Sequence, residues 1–223
     1  MLLISACSST PPQDKTINLK SFFFPYENFF KPKIYKYVDK DNPDNIQYWF
    51  METSVVTTDT ILTTKAYNES LNQIELIREK TNSIGSTMLE FTMINDTIVT
   101  NSKATEIDVY HWHQPKDKKI TWSVTYESQY GVESLSKTRE FISSMSNKEF
   151  ESNSYKTVKF KDTFKHSIKN KDWSDLYSFY QYSYYCQGLG MIEYERFLPD
   201  GKVIDYYLDK VLTEEEWNTL NKK

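Results

Sequence analysis

Between Ile34 and His113, large apolar and polar residues alternate in short runs, and clusters of turn-forming residues separate the runs. Successive side chains of a strand point to opposite faces, so this pattern predicts half-buried strands. The expected strands are Ile34 to Val38, Ile46 to Thr57, Ile61 to Tyr67, Leu71 to Lys80, Ile84 to Ile94, Thr97 to Thr100 and Ala104 to His113. Asp39 to Asn45, Asp59-Thr60, Asn68 to Ser70, Thr81 to Ser83 and Asn95-Asp96 stand between them. Most of these turns are too short for a crossover, so the strands they join are antiparallel neighbours and the topology is a meander.

The second half continues in the same period. Ile120, Trp122, Val124 and Tyr126 place four large residues on one face of a strand from Lys119 to Gln129. Gly131 to Ser154 is polar and lacks clear periodicity, which predicts a crossing segment with a short helix over Ser136 to Met145. Strands return over Tyr155 to Ile168, Leu176 to Gln187, Met191 to Leu198 and Lys202 to Leu212. Pro199-Asp200-Gly201 predicts the last hairpin, because Pro presets one turn dihedral and Gly accepts positive φ. Thr213-Glu214-Glu215-Glu216 is a capping box that opens a C-terminal helix over 214–221, with Trp217 and Leu220 facing the sheet. Near the N-terminus, Leu19, Phe22, Phe23, Tyr26, Phe29 and Phe30 form an aromatic cluster with a helical turn starting at Pro25, expected to plug the open end of the core. The fold class is therefore mainly β: a curved, half-barrel-like antiparallel sheet with one or two short helices.

Composition strengthens this reading: 17 Tyr, 13 Phe and 5 Trp accompany only 5 Gly and 7 Pro, and aromatics favour pleated, half-buried surfaces. A net charge of −4, with Lys and Glu interleaved, excludes a nucleic-acid face, which needs concentrated positive charge. No run past the N-terminus approaches the roughly 18–20 apolar residues of a membrane span.

Ile4-Ser5-Ala6-Cys7 resembles the lipobox of bacterial lipoproteins. The resemblance implies cleavage before Cys7 and attachment of a diacylglycerol to its thiol. Residues 1–6 are then expected as a truncated signal peptide, since only Met1 to Ile4 precede the small residues, 7–18 as a lipidated tether rich in Ser, Pro and Gln, and 19–223 as a single β domain. Ser8, where many inner-membrane lipoproteins carry Asp, points to the outer membrane. With Cys7 acylated, Cys186 has no disulfide partner and is expected as a small buried residue.

Catalytic signatures are absent: there is no Gly-x-Ser-x-Gly elbow, no His-Glu-x-x-His helix and no phosphate loop. His111 and His113 share a strand face, but a tetrahedral metal site lacks its further ligands. Glu193 and Glu195 share another face and need a third carboxylate for acid–base work, while the Asp39 to Asn45 loop lacks the Gly and Glu of an EF-hand. No catalytic residue, metal or cofactor is expected. Gly188-x-Gly190 lacks a dinucleotide-binding context and instead predicts a bulge or the close approach of another segment.

The run Tyr184-Tyr185-Cys186-Gln187-Gly188-Leu189-Gly190-Met191-Ile192-Glu193-Tyr194-Glu195 resembles the C-terminal ending of small lipoproteins from Bacteroidota. That resemblance implies a curved sheet wrapped on a helix, broadly similar to the LolA/LolB lipoprotein-carrier superfamily, although this chain lacks the carriers' long helices. Asp59-Thr60-Ile61 and Asp96-Thr97-Ile98 are similar to the O-glycan acceptor pattern of the same phylum, which makes Thr60 and Thr97 candidate glycosylation sites at turns. The functional expectation is a non-catalytic envelope binding protein, anchored to the membrane through Cys7, with a lipid, another apolar ligand or an envelope protein as partner. An envelope hydrolase with dispersed carboxylates and a structural lipoprotein acting through protein contacts are the alternatives.

Overall fold

The period-two alternation produces fourteen strands and one helix in the computed structural model, which describes residues 16–95, 98–115, 118–128 and 130–222. The strands are β1 (Thr16–Asn18), β2 (Lys33–Asp39), β3 (Ile46–Val56), β4 (Asp59–Tyr67), β5 (Gln73–Thr81), β6 (Gly85–Asn95), β7 (Ile98–His111) and β8 (His113–Pro115). They continue as β9 (Lys119–Ser128), β10 (Gly131–Phe150), β11 (Asn153–Lys169), β12 (Ser174–Cys186), β13 (Gly190–Phe197) and β14 (Val203–Thr213), and α1 (Glu214–Leu220) follows.

Twelve strands form one antiparallel sheet in the order β7-β6-β5-β4-β3-β2-β14-β13-β12-β11-β10-β9. Two meanders, β2 to β7 and β9 to β14, are thus joined by pairing of the first with the last strand, Lys33 opposite Thr213 and Val38 opposite Tyr207. The outer strands β7 and β9 lie against each other, so the sheet curls into a nearly closed barrel. Tyr126 Oη donates to Met93 Sδ at 3.3 Å and the Phe91 and Trp122 rings lie 6.4 Å apart, which ties the two halves across the interior. β1 and β8 form a separate two-stranded ribbon.

The segment ahead of β2 closes one end of the barrel. Leu19, Phe23, Phe24, Tyr26 and Phe29 are buried, and Phe23 packs on Tyr110 and Trp112 at 4.9 and 5.3 Å between ring centroids. Backbone hydrogen bonds hold this plug at three places: Leu19 N to Trp112 O, Thr53 N to Phe29 O and Gly188 N to Ser21 O. The helical turn expected at Pro25 is a 3-10 turn over Tyr26–Asn28. Gly190 permits the plug's approach, since a Cβ there would lie 2.4 Å from Phe24 Cδ1, and the bulge expected nearby is the register shift opposite Tyr184 and Tyr185.

At the other terminus, Thr213 Oγ1 accepts from Glu216 N while Glu216 Oε2 accepts from Thr213 N, completing the capping box. The helix buries Trp217 against Ile34, Tyr48 and Leu212, with Leu220 packed beside them.

Three expectations are corrected. Gly131 to Phe150 is one long strand, with no helix over Ser136 to Met145. Its inward positions include Glu133, which meets His166, and Lys137 and Arg139, which both meet Asp162 inside the barrel, so the hydrophobic period is hidden. Ile98 to His111 is one strand where two were expected. The turn before β4 lies at Thr57-Thr58, with Thr57 at φ 61°, so Thr60 sits within β4 and not at the turn.

Candidate functional site

Inward-facing side chains surround a cavity of about 450 Å³ in the barrel, between the plug's aromatic cluster and the apolar cluster of Met88, Phe91, Val124 and Tyr126. Strand alternation builds its walls. Trp49 from β3, Ile77 from β5, Phe91 from β6, Trp122 from β9 and Tyr194 from β13 make the apolar surface. Gln47, Glu75, Lys137, Arg139, Gln181 and Arg196 add polar groups to it.

The polar wall is organised by Asp162, which is fully buried on β11. Arg139 Nε and Nη2 donate to its two carboxylate oxygens at 2.7 and 2.9 Å, a bidentate geometry that suits the planar guanidinium. Arg139 Nη2 also donates to Tyr185 Oη at 3.1 Å, and the guanidinium lies 5.1 Å from the centre of the Phe160 ring. Ser183 Oγ donates to Asp162 Oδ2 at 3.1 Å, and Lys137 Nζ stands 3.3 Å from the same oxygen. Burial alone would raise the Asp162 carboxyl, but Arg139 and then Lys137 outweigh it and hold the group well below the usual carboxylate range. Lys137 is pulled down to about 8, first by burial and then by repulsion from Arg139, with Asp162 restoring part of the loss.

A relay of hydrogen bonds extends this cluster to β13. Gln181 Nε2 donates to Ser183 Oγ at 2.9 Å, and Gln181 Oε1 accepts from Arg196 Nε and Nη2 at 3.1 and 3.0 Å. Arg196 lies 5.3 Å from the centre of the Phe179 ring and 5.5 Å from that of Tyr194. Burial raises the pKa of Glu75 on β5, while Arg196 and Lys137 act in the opposite sense.

Of the residues singled out in the sequence, Cys7 and Thr97 lie outside the described residues. Thr60 is half-buried, and its carbonyl accepts from Thr81 Oγ1. His111 and His113 fall on different strands, separated by a bend at Trp112, and His111 Nε2 instead lies 3.4 Å from Asp108 Oδ2. Cys186 is fully buried beside Thr157 Oγ1 at 3.2 Å. In the Asp39 to Asn45 loop, the Asp39 carboxylate accepts from Asp41 N and Asn45 Nδ2.

Glu193 and Glu195 do meet a third carboxylate, Asp205, with ligand atoms of all three within 4.8 Å. The group faces away from the cavity lining and is already countered. Lys40 pairs with Glu193 and Asp205 at 3.2 and 2.8 Å, Lys148 pairs with Glu193, and Tyr184 Oη donates to Glu195 at 3.0 Å. Burial raises the pKa of Asp205, whose Oδ1 has no hydrogen-bond partner among the described residues. The arrangement is a salt-bridge network on the outer face of β13 and β14.

Lys137, Arg139, Asp162, Gln181 and Arg196 were not singled out in the sequence, because no local motif joins residues that meet only when β10 to β13 pair. The spacing of Glu133, Leu135, Lys137, Arg139 and Phe141 was the available signal: five alternate positions, three of them charged.

No protein-family model and no curated protein matches the chain. The fold is similar to two crystal structures. One is a candidate lipoprotein from Parabacteroides distasonis, with TM-score 0.54 and 13% identity over 90% of this chain and 100% of that one. The other is a candidate exported protein with a YmcC-like fold from Bacteroides fragilis, with TM-score 0.52 and 12% identity over 86% of this chain and 99% of that one. At these identities the likeness establishes the fold alone.

Proposed function

We propose that this protein is a non-catalytic binding protein of the bacterial cell envelope, held to the outer membrane by a lipid on Cys7, whose barrel takes up a small molecule with a largely apolar body. The observation that carries the binding reading is the cavity. Its volume of about 450 Å³ falls in the range of roughly 300–1,000 Å³ typical of small-molecule sites, and its walls combine aromatic rings with a few oriented polar groups. A lipid-carrier role of the LolA/LolB kind belongs to the same reading, since it needs the same apolar space. The anchoring part rests on Ile4-Ser5-Ala6-Cys7 and on the fold shared with candidate lipoprotein and exported proteins. In this reading residues 1–6 belong to a signal peptide, 7–18 form the lipidated tether and 19–223 one domain. Thr60 and Thr97 remain candidate acceptors of O-glycans.

Native mass spectrometry of protein purified from its host membranes tests both parts. The expected spectrum shows a diacylglycerol mass on Cys7 and a co-purified small molecule that leaves on activation. Cys7→Ser is expected to free the protein from membranes with its fold intact. Continued membrane attachment of that variant refutes the anchor, and an empty barrel in every preparation counts against a stored ligand.

A second reading, assembly with another envelope protein, is favoured by one feature. Tyr130, Val132, Trp173, Leu176 and Tyr177 are exposed by 39–65% near the turns that join β9 to β10 and β11 to β12. Asn170 Nδ2 donates to Tyr130 O and brings these two turns together.

A further inference from the structure

The charges that line the cavity do not balance one another locally. Arg139 and Lys137 share the single carboxylate of Asp162, which leaves this buried cluster with one surplus positive charge. Arg196 adds a second. It makes no ion pair among the described residues, its Nε and Nη2 are committed to the neutral carbonyl of Gln181, and Nη1 has no hydrogen-bond partner there. Lys137 Nζ and the Arg196 guanidinium lie 5.1 and 5.9 Å from the centre of the same ring, Phe164, so two like charges are held around one aromatic side chain in the cavity wall. Such an arrangement is costly in a medium of low dielectric unless an anion enters it. Glu75 in the cavity wall and Glu79 beside it on β5 are the other acids near these cations. Among the described residues neither forms an ion pair with Lys137, Arg139 or Arg196, Glu79 accepts from Ser86 Oγ instead, and burial shifts both towards their neutral forms.

We infer that the ligand of this cavity carries an anionic group, a carboxylate, sulfonate or phosphate ester, seated between Arg196 and Lys137 beside Phe164, with its apolar body against Trp49, Phe91 and Trp122. The inference rests on the binding reading above and deepens it. The guanidinium offers free N–H donors in a planar fork, the geometry that binds carboxylate or phosphate through two oxygens. The aromatic wall opposite accommodates a chain or ring system, so charge and apolar surface together define an amphipathic anion.

The test uses the full chain and two dyes that share a ring system, anilinonaphthalene sulfonate and phenylnaphthylamine, the second lacking the sulfonate. Binding is read by energy transfer from tryptophan, since Trp49 and Trp122 line the cavity. The sulfonate dye is expected to bind at least about tenfold tighter than the neutral one, the size of one charge-assisted hydrogen bond. Arg196→Gln is expected to remove most of that difference while leaving the neutral dye unchanged, and Arg196→Lys to restore part of it. Lys137→Gln gives the same comparison should Arg196→Gln fail to fold. Equal affinity for the two dyes, or equal loss of both in the variants, overturns the anion site while leaving the binding barrel standing. Binding of neither dye overturns the binding reading and this inference with it. Displacement of bound dye by laurate places the anion on an acyl chain, and displacement by naphthoate places it on a ring system. Both support the site, whereas equal displacement by lauryl alcohol overturns it.

Discussion

Replacing Arg139 by Met removes the guanidinium from the centre of the barrel and keeps most of its volume. Three hydrogen bonds go with it, two to Asp162 at 2.7 and 2.9 Å and one to Tyr185 Oη at 3.1 Å, together with ring contacts to Phe160, Tyr185 and Tyr110 at 5.1, 5.3 and 5.7 Å. Asp162 stays fully buried, with Lys137 at 3.3 Å as its remaining cation. Leaving one partner of a buried ion pair uncompensated costs about 3–5 kcal/mol, and Lys137 keeps the loss from exceeding that range. At roughly 2–4 °C per kcal/mol for a chain of this size, the expected fall in Tm is about 6–20 °C. Urea denaturation followed by far-ultraviolet circular dichroism measures the loss, with an unchanged m-value showing that the unfolded reference is the same. A double-mutant cycle with Asp162→Asn isolates the pair: the double variant is expected to recover about 2 kcal/mol or more relative to the sum of the singles. A loss below about 1 kcal/mol for Arg139→Met, or additive singles, refutes the view that this pair organises the interior.

Acid should find the same cluster. The Asp162 carboxyl sits below its ordinary value in the folded state, so its contribution is present above about pH 4 and lost as pH falls further; Asp162→Asn is expected to flatten that part of a urea midpoint measured against pH. Lys137, at about 8, faces Asp162, Arg139, Arg196, Glu75 and Glu79, and its lowered value means that it loses its charge in the folded state first. Affinity for the sulfonate dye is therefore expected to fall several-fold between about pH 7 and pH 9, and to stay flat in Lys137→Gln. Thr213→Ala deletes the acceptor for Glu216 N and should cost about 1 kcal/mol by thermal or urea denaturation. Gly190→Ala, with φ at 89° and a Cβ that would meet the Phe24 ring, should cost about 2–3 kcal/mol, against about 1 kcal/mol for Gly188→Ala, where φ is 77° but the space is open. Equal losses at the two glycines would show that the plug's approach is not the constraint.

The readable parts of the fold were those fixed by neighbours in sequence. Pro199-Asp200-Gly201 makes the turn it predicts, with Gly201 at φ 84°, and Thr213 and Glu216 cap the helix they predict. Ile120, Val124 and Tyr126 bury the face that their spacing marks. The failures arose where meaning depended on a distant partner. Along β10, Lys137 and Arg139 look like solvated positions until β11 places Asp162 opposite Arg139 and Phe164 opposite Lys137. Glu193 and Glu195 suggest chemistry until Lys40 and Lys148, from two other parts of the chain, pair with Glu193 and Tyr184 donates to Glu195. The cavity itself was invisible for a related reason: its lining is drawn from strands spread from β3 to β13, and no single strand contributes enough of it to leave a signature.

The pairing of β2 with β14 also sets a timetable for biosynthesis. Each meander can assemble from adjacent hairpins as the chain emerges, because its contacts are local in sequence. The pairing that joins the meanders sets Lys33 against Thr213, almost the whole length of the domain apart. Until that last strand has been made, β2 presents an open edge with unpaired backbone groups, the kind of surface on which other strands add. A chain released before Val203 would lack this closing strand entirely, so truncations in the final hairpin should yield aggregating protein instead of a smaller folded domain.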